Sequence, residues 1–452
     1  MPTWPLGDAV LFYTDGVVEG RRDKEMYGEE RLRRLLGASR AMGAAGIAEA
    51  IVNEAVAFPS GLPRDDIAVV VLKIPGGAPS PSTPRGRPDA LSGRAGPCAS
   101  LWIMRGTPVR HARAAAARWV AAEAAPAANF AGAFLTGSAA WADPGAVLPP
   151  TSDVDVAVVV TDPVAPPKLG KIPFEGVLVE VAYLSWNQIA SARDVLASCH
   201  LAGAFRSDDP ATLIADPTGR LARLRAAVSA GFAERRWVRL RCEDAERRIT
   251  GGLASLDPGA PFHDQVTAWL FPAGITTHVL LAAGLRNPTV RLRYPAVRDL
   301  LQAYGRTDVY EELLGLLGCA HLTRERIGAH LVSMTSAFDA AAAVARTPFP
   351  FSSDITEAAR PVAVDGSRDL LVRGLHREAV FWIAATYARC LKILAADAPG
   401  ETGHVAGFAD LAADLGAGSP DALRRRAREL TAYLPRLRAV AAEIIAANPA
   451  IR

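Results

Sequence analysis

Residues 134–160 read FLTGSAAWADPGAVLPPTSDVDVAVVV. The stretch opens on the end of an apolar run, 130–135, which predicts a strand, and Gly137-Ser138 then turns the chain toward a helix. Residues 153–160, DVDVAVVV, alternate and then become wholly apolar, the pattern of a buried strand. Asp153 and Asp155 stand two residues apart on it. Side chains alternate across a strand, so both carboxylates point to one face. Two such charges repel unless a cation lies between them. Hard oxygen ligands beside a phosphate substrate suit Mg²⁺.

The next strand expected is 177–184, VLVEVAYL, where Glu180 is the only charge. A buried charge needs a partner, and a metal site next door would supply one. Glycine at 137 lets backbone approach a phosphate closely, and Ser138 adds a hydroxyl donor. Each piece alone has an ordinary structural explanation. Their conjunction in this order points to a site.

Working outward, 111–124 reads as a helix, HARAAAARWVAAEA, before the first strand. A small mixed sheet with helices packed on it follows from this order. From about residue 221 the pattern is helical almost throughout. Amphipathic stretches at 266–285, 297–304, 310–317, 324–345, 377–397 and 421–448 predict a bundle. Upstream, 76–97 (GGAPSPSTPRGRPDALSGRAGP) is too poor in apolar residues to fold and reads as a flexible linker. Before it, 8–14 and 66–73 read as strands, and 29–36 and 44–57 as helices. The division expected is 1–75, a linker at 76–100, a mixed-sheet domain at 101–220 and a helical domain at 221–452. The fold class is α+β.

The stretch 134–160, with Glu180, resembles the DNA polymerase β superfamily, and specifically its small bacterial nucleotidyltransferases of the kanamycin and aminoglycoside kind. The resemblance covers about residues 108–185. It implies that Asp153, Asp155 and Glu180 are catalytic and hold Mg²⁺, and that Gly137, Ser138 and Ser152 bind nucleotide. It further implies transfer of a nucleoside monophosphate from ATP or another triphosphate to a hydroxyl or phosphate of a small-molecule acceptor, with a protein or an RNA end as the alternative acceptors. Fourteen residues separate Ser138 from Asp153, a longer gap than is usual in that family. The excess lies in ADPGAVLPP, a loop that tolerates insertion. His278, Arg286, Arg291 and Arg293, clustered in 278–295, are candidates for phosphate or acceptor contact, set against an ordinary solvated helix–loop face. Lys168 and Lys171 lie in the loop expected between the two acidic strands and read as surface lysines, with contact to the triphosphate as the alternative.

The first block carries a second resemblance. LGDAVLFYTDGVVEGRR (6–22), YGEERLRRLL (27–36) and LPRDDIAVVVLK (62–73) look like the C-terminal part of SpoIIE/RsbU-like PPM phosphatases. In that family the Asp of TDG and an Asp of DD are metal ligands, here Asp15 and Asp65, with Asp66 adjacent. The remaining ligands come from an N-terminal half that is not in this sequence. The expectation is a vestigial fragment, or a reading frame that starts upstream, without phosphatase activity. A regulatory protein derived from such a phosphatase, and a nucleotide-binding module without catalysis, are the rival readings.

Bulk properties narrow the field. A formal net charge of +3 gives no strong field toward nucleic acid or anionic membrane, and no basic stripe with aromatic platforms appears. The five cysteines are scattered without a CxxC pair, which argues against a zinc ribbon or a disulfide framework. No basic start or cleavage site follows Met1. The apolar runs at 271–285 and 380–396 are interrupted by His278, Arg389 and Lys392, short of the about 20 residues a spanning helix needs. A cytoplasmic protein is expected.

Overall fold

The computed structural model describes residues 9–13, 17–18, 21–22, 25–39, 42, 44–58, 69–73, 106–288 and 291–452. The chain divides into two compact units, Met1–Arg105 and Gly106–Arg452.

In the first unit, β1 (Ala9–Tyr13) is followed by the short strands β2 (Arg21–Arg22) and β3 (Glu25–Met26) and the helices α1 (Gly28–Ala38) and α2 (Ala44–Ala57), then β4 (Val69–Lys73). β1 and β4 pair antiparallel, with Ala9 opposite Lys73 and Tyr13 opposite Val69. Leu11, Tyr27, Leu32, Ile47, Ile51 and Phe58 form the core. Asp15, Asp65, Asp66 and the linker 76–97 lie outside the described residues.

The second unit begins with β5 (Thr107–Pro108) and α3 (Val109–Trp119), which runs on through a π-helical turn, Val120–Ala124. β6 (Phe130–Leu135), α4 (Gly137–Trp141), β7 (Val147–Leu148), β8 (Val154–Val160), β9 (Gly170–Phe174), β10 (Val177–Ser185), α5 (Ala192–Ala197) and β11 (Leu213–Ala215) follow. Five of these strands form one sheet in the order β11-β6-β8-β10-β9. β8 and β10 are parallel, and the other pairings are antiparallel. The mixed sheet and the helical region after it are those expected. β9, however, stands where the sequence predicts a loop. It forms because Glu175 and Gly176, both at positive φ, make a two-residue turn into β10. Arg118 Nε fixes that turn by donating to Glu175 Oε2 at 2.8 Å.

The sheet separates two apolar layers. Val154, Val156 and Val158 of β8 and Val177, Val179 and Val181 of β10 face α3 through Ala112, Ala116 and Trp119. Ala157 and Val159 face the other way, toward Val195, Leu221, Leu224, Val228 and Trp237. Asp153 and Asp155 share the parity of Ala157 and Val159, so they lie at the edge of this second layer.

The helical region comprises α6 (Arg220–Gly231), α7 (Arg235–Ala254), α8 (Phe262–Ala283), α9 (Arg293–Ala303), α10 (Thr307–Leu317), α11 (Arg324–Val344), α12 (Gly366–Val372), α13 (His376–Asp397), α14 (Val405–Asp414) and α15 (Pro420–Ala447). α8 is central and packs on α7, α9, α13 and α15. α8, α11 and α13 are long and apolar enough to cross a membrane by length and composition. This differs from the sequence expectation, because α8 continues through His278 and α13 through Arg389 and Lys392. The apolar windows of α8 and α13 are 78% and 72% buried inside the protein. The four described cysteines, Cys199, Cys242, Cys319 and Cys390, are free and buried.

Candidate active site

Strand register brings the three acids together. Glu180 of β10 sits directly opposite Asp155 of β8, and Asp153 lies two residues earlier on the same side. One carboxylate oxygen from each lies within 4.8 Å of the others, and no other such cluster of His, Cys, Asp or Glu occurs among the described residues. Gly137 lies against Asp155 at φ +55, where a Cβ would overlap the carboxylate. Glycine is therefore required here both by its backbone conformation and by space. Ser138 Oγ is 3.5 Å from Ser152 Oγ, and Ser152 Oγ donates to the Asp153 carbonyl at 3.2 Å. All six sequence-predicted residues, Gly137, Ser138, Ser152, Asp153, Asp155 and Glu180, thus occupy one place.

Lys171 corrects the sequence reading. Its side chain is 6% exposed, with Nζ 2.5 Å from Asp153 Oδ2, 2.7 Å from Glu180 Oε2 and 3.5 Å from Asp354 Oδ1. β9 causes this, since it sets Lys171 opposite Glu180 across the antiparallel pair. Lys168 also pairs with Glu180 and lies 3.7 Å from Asp354. Asp354, in the turn Ser352–Asp354, is held in addition by Arg389 of α13 at 3.0 Å. Gly170 lets β9 approach that turn, because a Cβ there would run into Ser353. Asp354 and Arg389 had no signal in the sequence. They reach the site only through the packing of the helical region on β9.

Charge in the cluster is unevenly compensated. Burial works against ionising Glu180, yet Lys171 and Lys168 hold it well below the usual carboxylate range. Burial also opposes the charge on Lys171, but Asp153, Glu180 and Asp354 together keep its ammonium firmly protonated. Burial raises Asp153 despite Lys171. Asp155 is pushed well above its ordinary value, first by burial and then by Asp153 and Glu180. Asp155 makes no ion pair with a lysine or arginine among the described residues. A buried carboxylate beside two others either keeps a proton or meets a cation. The donor set fits a hard divalent ion, which would take oxygen from Asp153, Asp155 and Glu180.

The acids form one wall of a cavity of about 280 Å³. The helical region contributes Arg291, Arg293, Trp382, Thr386 and Arg389 to its lining. Of the four basic candidates in 278–295, then, Arg291 and Arg293 reach this cavity. Arg286 lies instead near Trp141 and Cys199, around a separate small pocket. His278 is buried within α8, its ring 5.5 Å from that of His200. Asn287 ties the two halves together, since its Nδ2 donates to the Gly137 carbonyl at 3.2 Å.

No curated protein and no solved structure matches the chain. A family model does match at the other end of the sequence, where residues 3–75 are similar to Stage II sporulation protein E (SpoIIE).

Proposed function

We propose that residues 106–452 are a Mg²⁺-dependent nucleotidyltransferase, moving a nucleoside monophosphate from ATP or another triphosphate to a hydroxyl or phosphate of a small molecule. The observation that carries this reading is the convergence of Asp153, Asp155 and Glu180 beside Gly137, with Asp155 in no ion pair among the described residues. Bound Mg²⁺ would polarise the α-phosphate and steady the charge that develops on the leaving group. The protein's part is placement. Asp153, Asp155 and Glu180 hold the cation, while Ser138 and Ser152 offer hydroxyl donors to the triphosphate. The acceptor oxygen bonds to the α-phosphorus, and the bond from that phosphorus to the bridging β-phosphate oxygen breaks. Pyrophosphate leaves, and the acceptor proton passes to a carboxylate of the cluster.

The test is transfer of label from α-labelled ATP with Mg²⁺ to a panel of hydroxylated and phosphorylated small molecules. Transfer is expected from the wild-type chain and none from an Asp153→Ala, Asp155→Ala double variant. Equal transfer by both would sink the assignment. A nucleotide-binding module without catalysis is the second reading. It is favoured by Lys171, whose ammonium already satisfies Asp153 and Glu180. ATP binding by wild type with no transfer to any acceptor would select it.

A further inference from the structure

The cavity holds a cation with which none of its acids forms a direct ion pair among the described residues. Lys171 and Lys168 pair with Asp153 and Glu180, and Arg389 pairs with Asp354. Arg291, in the same lining, makes no ion pair within 4 Å among the described residues. Its Nη2 instead donates to the Ala363 carbonyl at 3.1 Å and to Ser367 Oγ at 3.0 Å. Its Nε is sealed from solvent and has no hydrogen-bond partner. Burial pulls the guanidinium down to about 10, so it remains charged at neutral pH. Asp153 and Asp354 act on this guanidinium only from beyond ion-pair distance. A guanidinium partly withdrawn from water without a direct counter-ion is costly, and a ligand anion lowers that cost.

The surroundings are built to hold this side chain still. Trp382 Nε1 donates to the Arg291 carbonyl at 2.9 Å, and the Trp382 ring centre lies 5.0 Å from the guanidinium carbon. Gly366 clears space for it, since a Cβ there would come within 3.1 Å of Nε. That same point is 3.6 Å from Thr151, which places Arg291 beside the loop leading into Ser152 and Asp153. A planar, fixed guanidinium next to a metal-binding acid cluster matches a phosphate oxygen better than any neutral group.

We infer that Arg291 anchors a phosphate group, carried either by the triphosphate of the nucleotide or by the acceptor. The inference deepens the nucleotidyltransferase reading by naming the chemistry that the helical region brings to the cavity, and it rests on that reading for the two sources of phosphate. It gives the helical region a share in gripping the substrate, beyond lending shape to the cavity.

Calorimetric titration of the full chain with inorganic pyrophosphate in Mg²⁺ tests it. Wild type should bind. Arg291→Met should bind on the order of tenfold or more weakly, the loss expected for a charge-assisted hydrogen bond. Arg291→Lys should fall between them, because it keeps the charge and loses the fork. Melting without ligand checks the fold, and Gly366→Ala, which crowds Nε, serves as the second variant should Arg291→Met not fold. Two arms separate the sources. Weaker binding of a non-hydrolysable ATP analogue by Arg291→Met assigns the site to the donor triphosphate. Retained analogue binding, with inorganic phosphate binding to the analogue-loaded wild type but not the variant, assigns it to the acceptor. Unchanged affinity of Arg291→Met for pyrophosphate, phosphate and analogue overturns the inference. So does a wild type that binds none of them. None of these titrations requires transfer, so the inference and the enzymatic reading can fail separately.

Discussion

A methyl group at position 137 would overlap the Asp155 carboxylate. It would also force an L residue to φ +55, which costs roughly 1 kcal/mol before any clash. Gly137→Ala is therefore expected to move Asp155 out of the acid cluster. Titration with Mn²⁺, followed by electron paramagnetic resonance, should show loss of the wild-type site, together with a lower melting temperature. Gly251 in α7 provides the contrast. It has open space around it, so Gly251→Ala should leave Mn²⁺ binding intact and stabilise the helix by up to about 1 kcal/mol. An Mn²⁺ affinity in Gly137→Ala equal to that of the wild type would show that Asp155 does not need the place it occupies.

Among the elements, α8 and α13 approach most closely where Gly274 meets Phe381, and a Cβ at 274 would run into that ring. Phe381 is fully buried and also contacts Phe271, Tyr294 and Trp382, so it has little freedom to retreat. Gly274→Val should overpack this seam and destabilise the protein by roughly 1–3 kcal/mol. Urea unfolding would read it, and an unchanged midpoint would mean that α13 can shift. Because Trp382 belongs to the same cluster and to the cavity wall, the strain would reach the site as well. Neither helix partner could have been paired from sequence, since apolar periodicity gives a helix its buried face but not its neighbour. The acid cluster was legible because it depends on short-range rules, strand alternation at Asp153 and Asp155 and a lone charge at Glu180. Lys171 was not, because Pro173 and the polar residues around it hid β9 inside an apparent loop. Asp354 and Arg389 were beyond reach for a different reason. They lie more than 170 residues from the acids in sequence and arrive by tertiary packing alone.

For the molecule as a whole, burial works against charge outside the site as well. One such place is the imidazole pair His200 and His278 of α8, whose ring centres are 5.5 Å apart. Burial, with Arg248 nearby, holds His200 down at about 4, although Asp244 pulls the other way. Burial holds His278 well below its ordinary value, with Arg293 and His200 adding to the effect, and neither of its ring nitrogens has a hydrogen-bond partner. In the unfolded chain each histidine titrates near the ordinary 6.5. Between about pH 6.5 and 4 the unfolded state therefore binds a proton that folded His200 refuses, so stability falls as pH falls through that window. The loss traceable to His200 is about 2 kcal/mol at pH 5. Asp155 and Asp153 act in the opposite sense. Their raised folded values favour proton uptake by the native state and soften acid destabilisation. A comparison of the wild type with His200→Gln removes that offset, since both chains carry the same carboxylates. The drop in unfolding free energy from pH 7.5 to 5 should be smaller in His200→Gln by about 2 kcal/mol. Equal drops in the two proteins would mean that His200 takes up its proton without loss of the native packing.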